Sequence, residues 1–429
     1  MDDYSKKHHY VPQSVLRRFS FDQARTWIYV FDKAQMKSFQ SSILNAGSEN
    51  HFNTVEVEGQ TVSFECLFQT NDDQLARLLD TIASNRSLVV LTPEDRFALS
   101  EVVAAQIVRT KMVRTTIRSI AKQMLAALGE AGIDPGEVDG LSIPTDQEVK
   151  RAALASFLDL RRIVGTIQEK RPILIHSSNS QVFWISDNPV VLHNTFPYGE
   201  RALNAPGIEI YFPISSELVL GFFCPSIEVK IQQLLSLNNP GIDRQKYSEI
   251  YRGLQGGDAV SLGPETVPFL NSLQVLHSSR FLYAPSNEFE LAREILRRQP
   301  DARNVQTLIS VGRMGQGPPL RPTMPPGLWV VFYGDRSHHM IAVDCWDESA
   351  DFLEFETRDL AALQAILADQ PLKQAVLFQD GAERTGMREV QIEVLRKSAP
   401  SRIRVTHRDE TLNQILRSVR VQSRTSCRS

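Results

Sequence analysis

What this sequence has little of narrows it first. Cysteine is scarce, four in 429 residues, and Cys66, Cys224, Cys345 and Cys427 stand far apart with no C-x-x-C pair. That spacing fits neither a disulfide framework nor a zinc knuckle. An excess of one charge is also missing: 47 Lys and Arg against 50 Asp and Glu leave a net charge of −3. A chain so balanced does not bind polyanions wholesale, as histone-like proteins do. No apolar run approaches the roughly 18 residues of a membrane helix. Asp2, Asp3, Lys6 and Lys7 occupy the place where a signal peptide would be apolar. A cytoplasmic protein with no membrane partner is therefore expected. The Gly-x-x-x-x-Gly-Lys loop, the dinucleotide fingerprint and the Gly-x-Ser-x-Gly elbow are all absent, which disfavours nucleotide hydrolysis, redox catalysis and esterase chemistry.

What is present is an ordinary globular composition, 42% hydrophobic and 23% charged, in a chain long enough for two or three domains. The patterning predicts an α+β protein: an N-terminal helix/strand module, a helical segment, an antiparallel sheet region and a small C-terminal α/β module. Residues 1–310 form the first part, with a helical insert at about 92–170 and a β-rich stretch at about 172–285. Residues 326–429 form the second, behind a Gly/Pro-rich linker at 311–327. Trp27–Phe31, rich in aromatic and β-branched residues, reads as a strand, and residues 52–57 begin another. Leu67, Leu75, Leu78, Leu79 and Ile82 mark a helix over 64–83. Thr92-Pro93 caps a longer one that runs to Leu128, and residues 147–169 make a third. Strands are expected over 172–179, 182–186, 208–212, 218–223, 328–333, 340–343 and 374–378, with a helix over 360–368.

Two features carry chemistry. In Lys7-His8-His9-Tyr10-Val11-Pro12-Gln13, Pro12 suits a first helical turn and holds Val11 extended, so both histidines sit in extended chain just before a helix. Adjacent side chains there point to opposite faces, and the pair does not ligate one metal together. An imidazole that accepts a proton near pH 7, beside the N–H groups of a helix start, suits phosphate handling. The competing explanation is a set of rings filling a gap between helix and sheet. The second feature is basic: Arg109, Lys111, Arg114, Arg118 and Lys122 occur with no acid among them. The last four, spaced by three, four and four, make a stripe about 16 Å long, able to follow several phosphates or simply to face solvent. From Arg396 onward nine Lys and Arg face only Asp409 and Glu410, a second local excess. His338-His339 lies between two apolar runs, where a loop tip accounts for it.

His-His-Tyr-Val-Pro-Gln, followed by Leu16, Arg17 and Phe19, resembles the opening of an uncharacterised, mostly bacterial family recognised by an HHYVP motif, the domain of unknown function 4238. Later segments are similar to the same family: Trp27–Asp32, Gly47-Ser-Glu-Asn-His-Phe52, Gln106-x-x-Arg109, Trp184-Ile-Ser-Asp-Asn-Pro-Val190, Tyr211-Phe-Pro213 and Asn271 to Arg280. The resemblance covers about residues 6–285. That family often carries two glutamates where this chain has Glu65 and then Asp72 or Asp73. The resemblance implies that these residues matter, and it implies no reaction. His9-Tyr-Val-Pro-Gln13 is also similar to the His-x-x-Pro-Gln signature of some HNH-type nucleases, in which the histidine activates water beside a single divalent metal.

The resulting expectation is a metal-dependent phosphodiesterase, a nuclease acting on DNA or RNA, with a place in bacterial antiviral defence. His8, His9 and Gln13 are the candidate catalytic residues. Mg²⁺ or Mn²⁺ requires oxygen ligands, for which Glu49, Glu65, Asp72 and Asp187 are the candidates. Asp187 stands in a Ser-Asp-Asn-Pro turn, where turn chemistry competes with a site role. Arg17, Arg109, Lys111, Arg114, Arg118 and Lys122 would neutralise phosphate. The alternative is a non-catalytic binding or sensor protein that engages nucleic acid or, through its C-terminal module, a protein partner.

Overall fold

A computed structural model describes residues 7–57, 60–130, 132–134, 138, 142–177, 181–194, 202–236 and 243–304, together with the strands 328–334, 340–345, 372–379 and 388–392. The linker at 311–327, His338-His339, the helix expected over 360–368 and the basic tail from Arg396 lie outside the described residues. The chain divides into two compact units. One holds Met1–His193, Ile210–Phe223 and Arg252–Pro319, and the other holds Asn194–Glu209, Cys224–Tyr251 and Leu320–Ser429.

In the first unit the chain opens with β1 (Lys7–His9) and α1 (Gln13–Leu16), followed by a 3₁₀ turn at Arg17–Phe19. Pro12 stands at the N-cap, one residue before the helical position expected of it. Next come β2 (Trp27–Asp32), β3 (Lys37–Ser42), β4 (Ser48–Asn50), β5 (Thr54–Val57) and β6 (Gln60–Ser63). β1 pairs antiparallel with β4, placing His8 opposite Glu49, and β5 pairs with β6. Gly47, at φ +61°, makes the pairing of β1 possible. Its carbonyl accepts the N–H groups of both Tyr10 and Val11, and a Cβ there would sit 3.0 Å from Val11 Cβ.

The helical insert is α2 (Glu65–Asn85), α3 (Pro93–Val108), α4 (Lys111–Glu130), α5 (Asp146–Leu158) and α6 (Arg161–Gln168). Thr92 caps α3 as expected, in a capping box closed by Asp95, and Thr145 caps α5 with Glu148 in the same way. Two corrections apply here. The helix expected over 92–128 is two helices, broken at Arg109-Thr110, and the one expected over 147–169 is broken at Asp159-Leu160. Neither break carries a glycine or proline. The first is tertiary in origin: α3 is buried around most of its surface, whereas α4 buries only Met112, Thr116 and Leu128. The chain changes direction where its packing changes, and Arg109 serves the turn as described below.

Beyond the insert lie β7 (Arg171–His176), β8 (Ile185–Ser186), β9 (Val191–Asn194), β10 (Ile208–Pro213) and β11 (Leu218–Phe223). Then come α7 (Pro225–Ser236), α8 (Arg244–Gly256), α9 (Thr266–His277), β12 (Phe281–Ala284) and α10 (Glu290–Arg298). Two four-stranded sheets result, ordered β7-β11-β10-β9 and β3-β2-β12-β8. The strand expected over 182–186 shortens to two residues, and α7 to α10 were not legible as helices. Phe31, Trp184, Leu282 and Phe289 pack together on the second sheet, with Phe31 and Phe289 stacked at 5.3 Å.

The Ser186-Asp187-Asn188-Pro189 turn locks this sheet to α9. Asp187 is fully buried and accepts the N–H groups of Ser279, Arg280 and Phe281 at 2.7, 2.8 and 3.0 Å. Asn188 Nδ2 donates to the His277 carbonyl, and Gln274 Nε2 donates to that of Pro189. Burial raises the Asp187 carboxyl, while the three N–H groups and Lys33 oppose that shift. Asp187→Asn keeps the shape but turns an amide N–H₂ toward a donor. Unfolding in urea should show a loss of about 2 kcal/mol, and an unchanged midpoint would contradict this role.

In the second unit β13 (Leu328–Gly334), β14 (Met340–Cys345), β15 (Leu372–Gln379) and β16 (Arg388–Ile392) form an antiparallel sheet ordered β14-β13-β15-β16. The first three match the expected strands, and β16 is additional. The protein is thus a mixed α+β chain built on several small antiparallel sheets. Among the described residues no helix is long and apolar enough to cross a membrane.

Candidate functional site

The two histidines do point apart, as extended chain requires. His9 is 7% exposed, and burial, reinforced by the Arg109 charge, pushes its imidazole down to about 4 despite the Ile43 and Leu44 carbonyls beside it. Among the described residues its Nε2 has no hydrogen-bond partner. Burial thus favours the neutral form of the His9 ring at pH 7, which bears on any catalytic part for it. His8 is 1% exposed, and its Nδ1 accepts the Asn53 backbone N–H at 2.9 Å. That bond leaves the proton of the neutral ring on Nε2. Glu65 Oε2 lies 3.7 Å from the same Nδ1, and the His51 ring meets His8 edge-on at 6.2 Å. Gln13, the third expected catalytic residue, accepts from Arg17 Nη2 at 3.2 Å on α1.

Gln106 and Arg109 explain why the His-His-Tyr segment needs the end of α3. Three residues apart, they share a helix face. Gln106 Nε2 donates to the Tyr10 carbonyl at 2.9 Å, and Arg109 Nη2 donates to that of His9 at 2.6 Å. The Arg109 guanidinium also pairs with Asp72 through both terminal nitrogens and lies 4.9 Å from the Phe68 ring centre. Burial raises the Asp72 carboxyl, against the pull of Arg109. Arg109 and Asp72, expected as a phosphate contact and a metal ligand, thus serve each other and the backbone.

The remaining expected ligands are held separately. Glu49 pairs with Lys111 at 2.6 Å, and Asp187 is enclosed by the backbone of Ser279 to Phe281. Glu65 keeps a partly open carboxylate beside His8, and it accepts from Asn53 Nδ2 at 2.8 Å. Among the described residues no group of three or more His, Cys, Asp or Glu side chains is placed to hold a metal ion.

The basic stripe survives on α4 in a different condition. Lys111 is paired with Glu49 and Arg118 with Asp146, while Arg17 and Lys122 are exposed. Arg114 differs from them all. Its guanidinium lies 3.3 Å from the Phe52 ring centre, and its hydrogen bond to Asn53 Oδ1 is long at 3.4 Å. No carboxylate lies within ion-pair distance among the described residues; burial pushes the group down to about 10, while the Glu49 charge acts the other way. Lys150, on α5, faces the same cleft and donates to the His51 carbonyl at 3.0 Å. Its affinity for protons is lowered by burial and then by Arg114. Phe52, Val55, Phe68 and Val108 form the apolar walls.

Asn53 joins the two halves of the site. Its amide nitrogen meets Glu65 and its amide oxygen meets Arg114, the only orientation both charges permit. Asn53 and Lys150 were missed in the sequence. Neither stands in a recognisable spacing, since the turn before β5 and the helix α5 deliver them to the cleft from positions about a hundred residues apart.

No curated protein and no solved structure matches the chain. A family model described as a protein of unknown function, DUF4238, matches residues 7–288. That match spans more than half of the chain and includes every residue of the cleft, so the protein belongs to the DUF4238 family.

Proposed function

We propose that the protein engages nucleic acid through phosphate, and that the Arg114–Lys150 cleft is where it does so. The observation that carries this reading is a pair of cations sharing one partly desolvated cleft, neither of them in an ion pair among the described residues. The Glu49 charge acts on both, and an arriving phosphate would add a closer counter-charge. The test is binding of fluorescein-labelled DNA and RNA oligonucleotides followed by anisotropy. Arg114→Gln with Lys150→Gln should weaken binding at least tenfold, with the far-ultraviolet spectrum unchanged. Equal affinity in the variant and the parent would remove the cleft from consideration.

A second reading, hydrolysis, rests on the contact between His8 and Glu65 at the other end of the Asn53 bridge. In a metal-dependent phosphodiesterase, Glu65 would supply a carboxylate to Mg²⁺ or Mn²⁺, with water and substrate oxygens completing the shell. Glu65→Gln should then abolish metal-stimulated cleavage while leaving binding within about twofold. Absence of cleavage by the parent protein across DNA and RNA substrates, with either metal, would leave the binding function alone.

A further inference from the structure

Five consecutive residues, Glu49 to Asn53, meet three cations on two helices. Glu49 pairs with Lys111 at 2.6 Å, the His51 carbonyl accepts from Lys150 at 3.0 Å, and Phe52 with Asn53 receives Arg114. Two left-handed residues frame the strand that presents them: Gly47 at φ +61° and His51 at φ +54° stand on either side of β4. That region is uncommon for a residue with a Cβ, and the turn made there carries the chain from Lys111 to Lys150 and Arg114. His51 offers these cations a carbonyl and Asn53 an amide oxygen, whereas Glu49 offers a negative charge. That charge acts on Arg114 and Lys150 as well as on Lys111, and Glu56 adds to it at Lys150.

The basic cluster is therefore occupied from within, and an outside anion can exchange with the occupant only at the rim. The cleft interior has space for about one water molecule between Phe52, Phe68 and Val108. At the rim, Lys111 and Glu49 keep 33% and 52% of their side-chain surface exposed. An exposed ion pair of this sort is held weakly and is screened by salt. Glu49 can thus turn into solvent while the β1–β4 pairing that fixes its backbone stays intact. A phosphodiester carries one negative charge, as the carboxylate does, and takes the vacated ammonium through the same kind of charge-assisted hydrogen bond.

We propose that Glu49 is a built-in competitor for nucleic-acid phosphate: it occupies the basic cluster of the unbound protein, and a phosphodiester binds by displacing it from Lys111. This rests on the nucleic-acid reading above and adds its regulation. The contact lowers the affinity for a single passing anion, because exchanging one negative charge for another gains little.

The experiment follows the anisotropy of labelled DNA and RNA oligonucleotides with the full chain, its Glu49→Gln variant, and Glu94→Gln as a control. Glu94 is exposed in the first turn of α3, about 22 Å along that helix from Arg109, and its removal changes the net charge equally. Glu49→Gln should bind about three- to tenfold more tightly than the parent, and Glu94→Gln should stay within about twofold of it. Glutamine changes the charge of a half-exposed side chain and not its packing, so the far-ultraviolet spectrum and melting temperature should be unchanged. In a chain that also carries Lys111→Gln, the gain from Glu49→Gln should fall below about twofold. Binding by Glu49→Gln where the parent binds no oligonucleotide would support the proposal in its strongest form. Three results would overturn it and leave nucleic-acid binding intact: an equal gain in Glu94→Gln, unchanged or weaker binding by Glu49→Gln, or a gain that Lys111→Gln leaves undiminished. Binding by neither the parent nor Glu49→Gln would overturn both readings.

Discussion

Arg109→Ala should destabilise the first unit by about 3–5 kcal/mol, the usual result of leaving a buried charge without its partner. At roughly 2–4 °C per kcal/mol for a domain of this size class, the melting temperature should fall by roughly 6–20 °C. The reason is the number of elements one side chain joins. Arg109 ends α3, pairs with Asp72 on α2 and holds the His9 carbonyl of β1. Its side chain is 1% exposed, so water cannot replace what alanine removes. Asp72 would keep its charge in a place where burial already disfavours it. Two further variants separate this account from simple loss of volume. Arg109→Leu combined with Asp72→Leu should recover most of the stability, because no unpaired charge remains. Arg109→Lys should fall between parent and alanine, since one ammonium cannot replace a two-pronged guanidinium. Calorimetry on the three variants measures this, and a shift under about 1 kcal/mol for Arg109→Ala would remove the clamp as a determinant of stability.

Acidification should unfold the protein through His9. The ring binds protons near pH 6.5 in an unfolded chain and at about 4 in the fold, so between those values the unfolded state holds more protons and stability rises with pH. The contribution is therefore fully present above about pH 6.5 and is lost progressively as pH falls toward 4. A difference of this size corresponds to about 3 kcal/mol between the ends of the window. Asp72 and Asp187, both raised by burial, act in the opposite sense over their own range. The useful quantity is thus the difference between the parent and His9→Leu, measured by urea unfolding at half-unit pH steps. The variant should lack the slope between pH 6.5 and 4. Parallel curves would mean that His9 keeps an ordinary proton affinity in the fold.

The sequence made the framework around the site more legible than the site itself. Trp27–Asp32 and Leu218–Phe223 declared themselves as strands because β-branched and aromatic side chains suit a pleated, half-buried surface. Thr92 and Thr145 stand where helices need an oxygen for their first N–H groups, although the second cap was not singled out. The helix breaks at Arg109 and Asp159 were hidden because packing, and not a breaker residue, sets them. The segments that resembled a family turned out to bind one another. Gln106 and Arg109 hold the carbonyls of Tyr10 and His9, and Asp187 holds the backbone of Ser279 to Phe281. Motifs of this kind mark interlocks between elements distant in sequence, whatever chemistry they also carry. The cleft was illegible for the converse reason: Arg114 looked like one of four equal cations, and only the ion pairs of its neighbours set it apart.

The second sheet has a temporal consequence. Its strand β2 is joined on one side to β3, a few residues away, but its other edge waits for β12. Asp32 and its partner Arg280, which closes that edge, are 248 positions apart. At about 5–20 residues per second, synthesis takes roughly 12–50 s to cover that distance. For that time one edge of Trp27–Asp32, an aromatic and β-branched segment, has no strand to pair with, the condition under which strand edges recruit other chains. Slower translation or higher temperature should accordingly lower the soluble yield of this protein before any change in its finished fold is measurable.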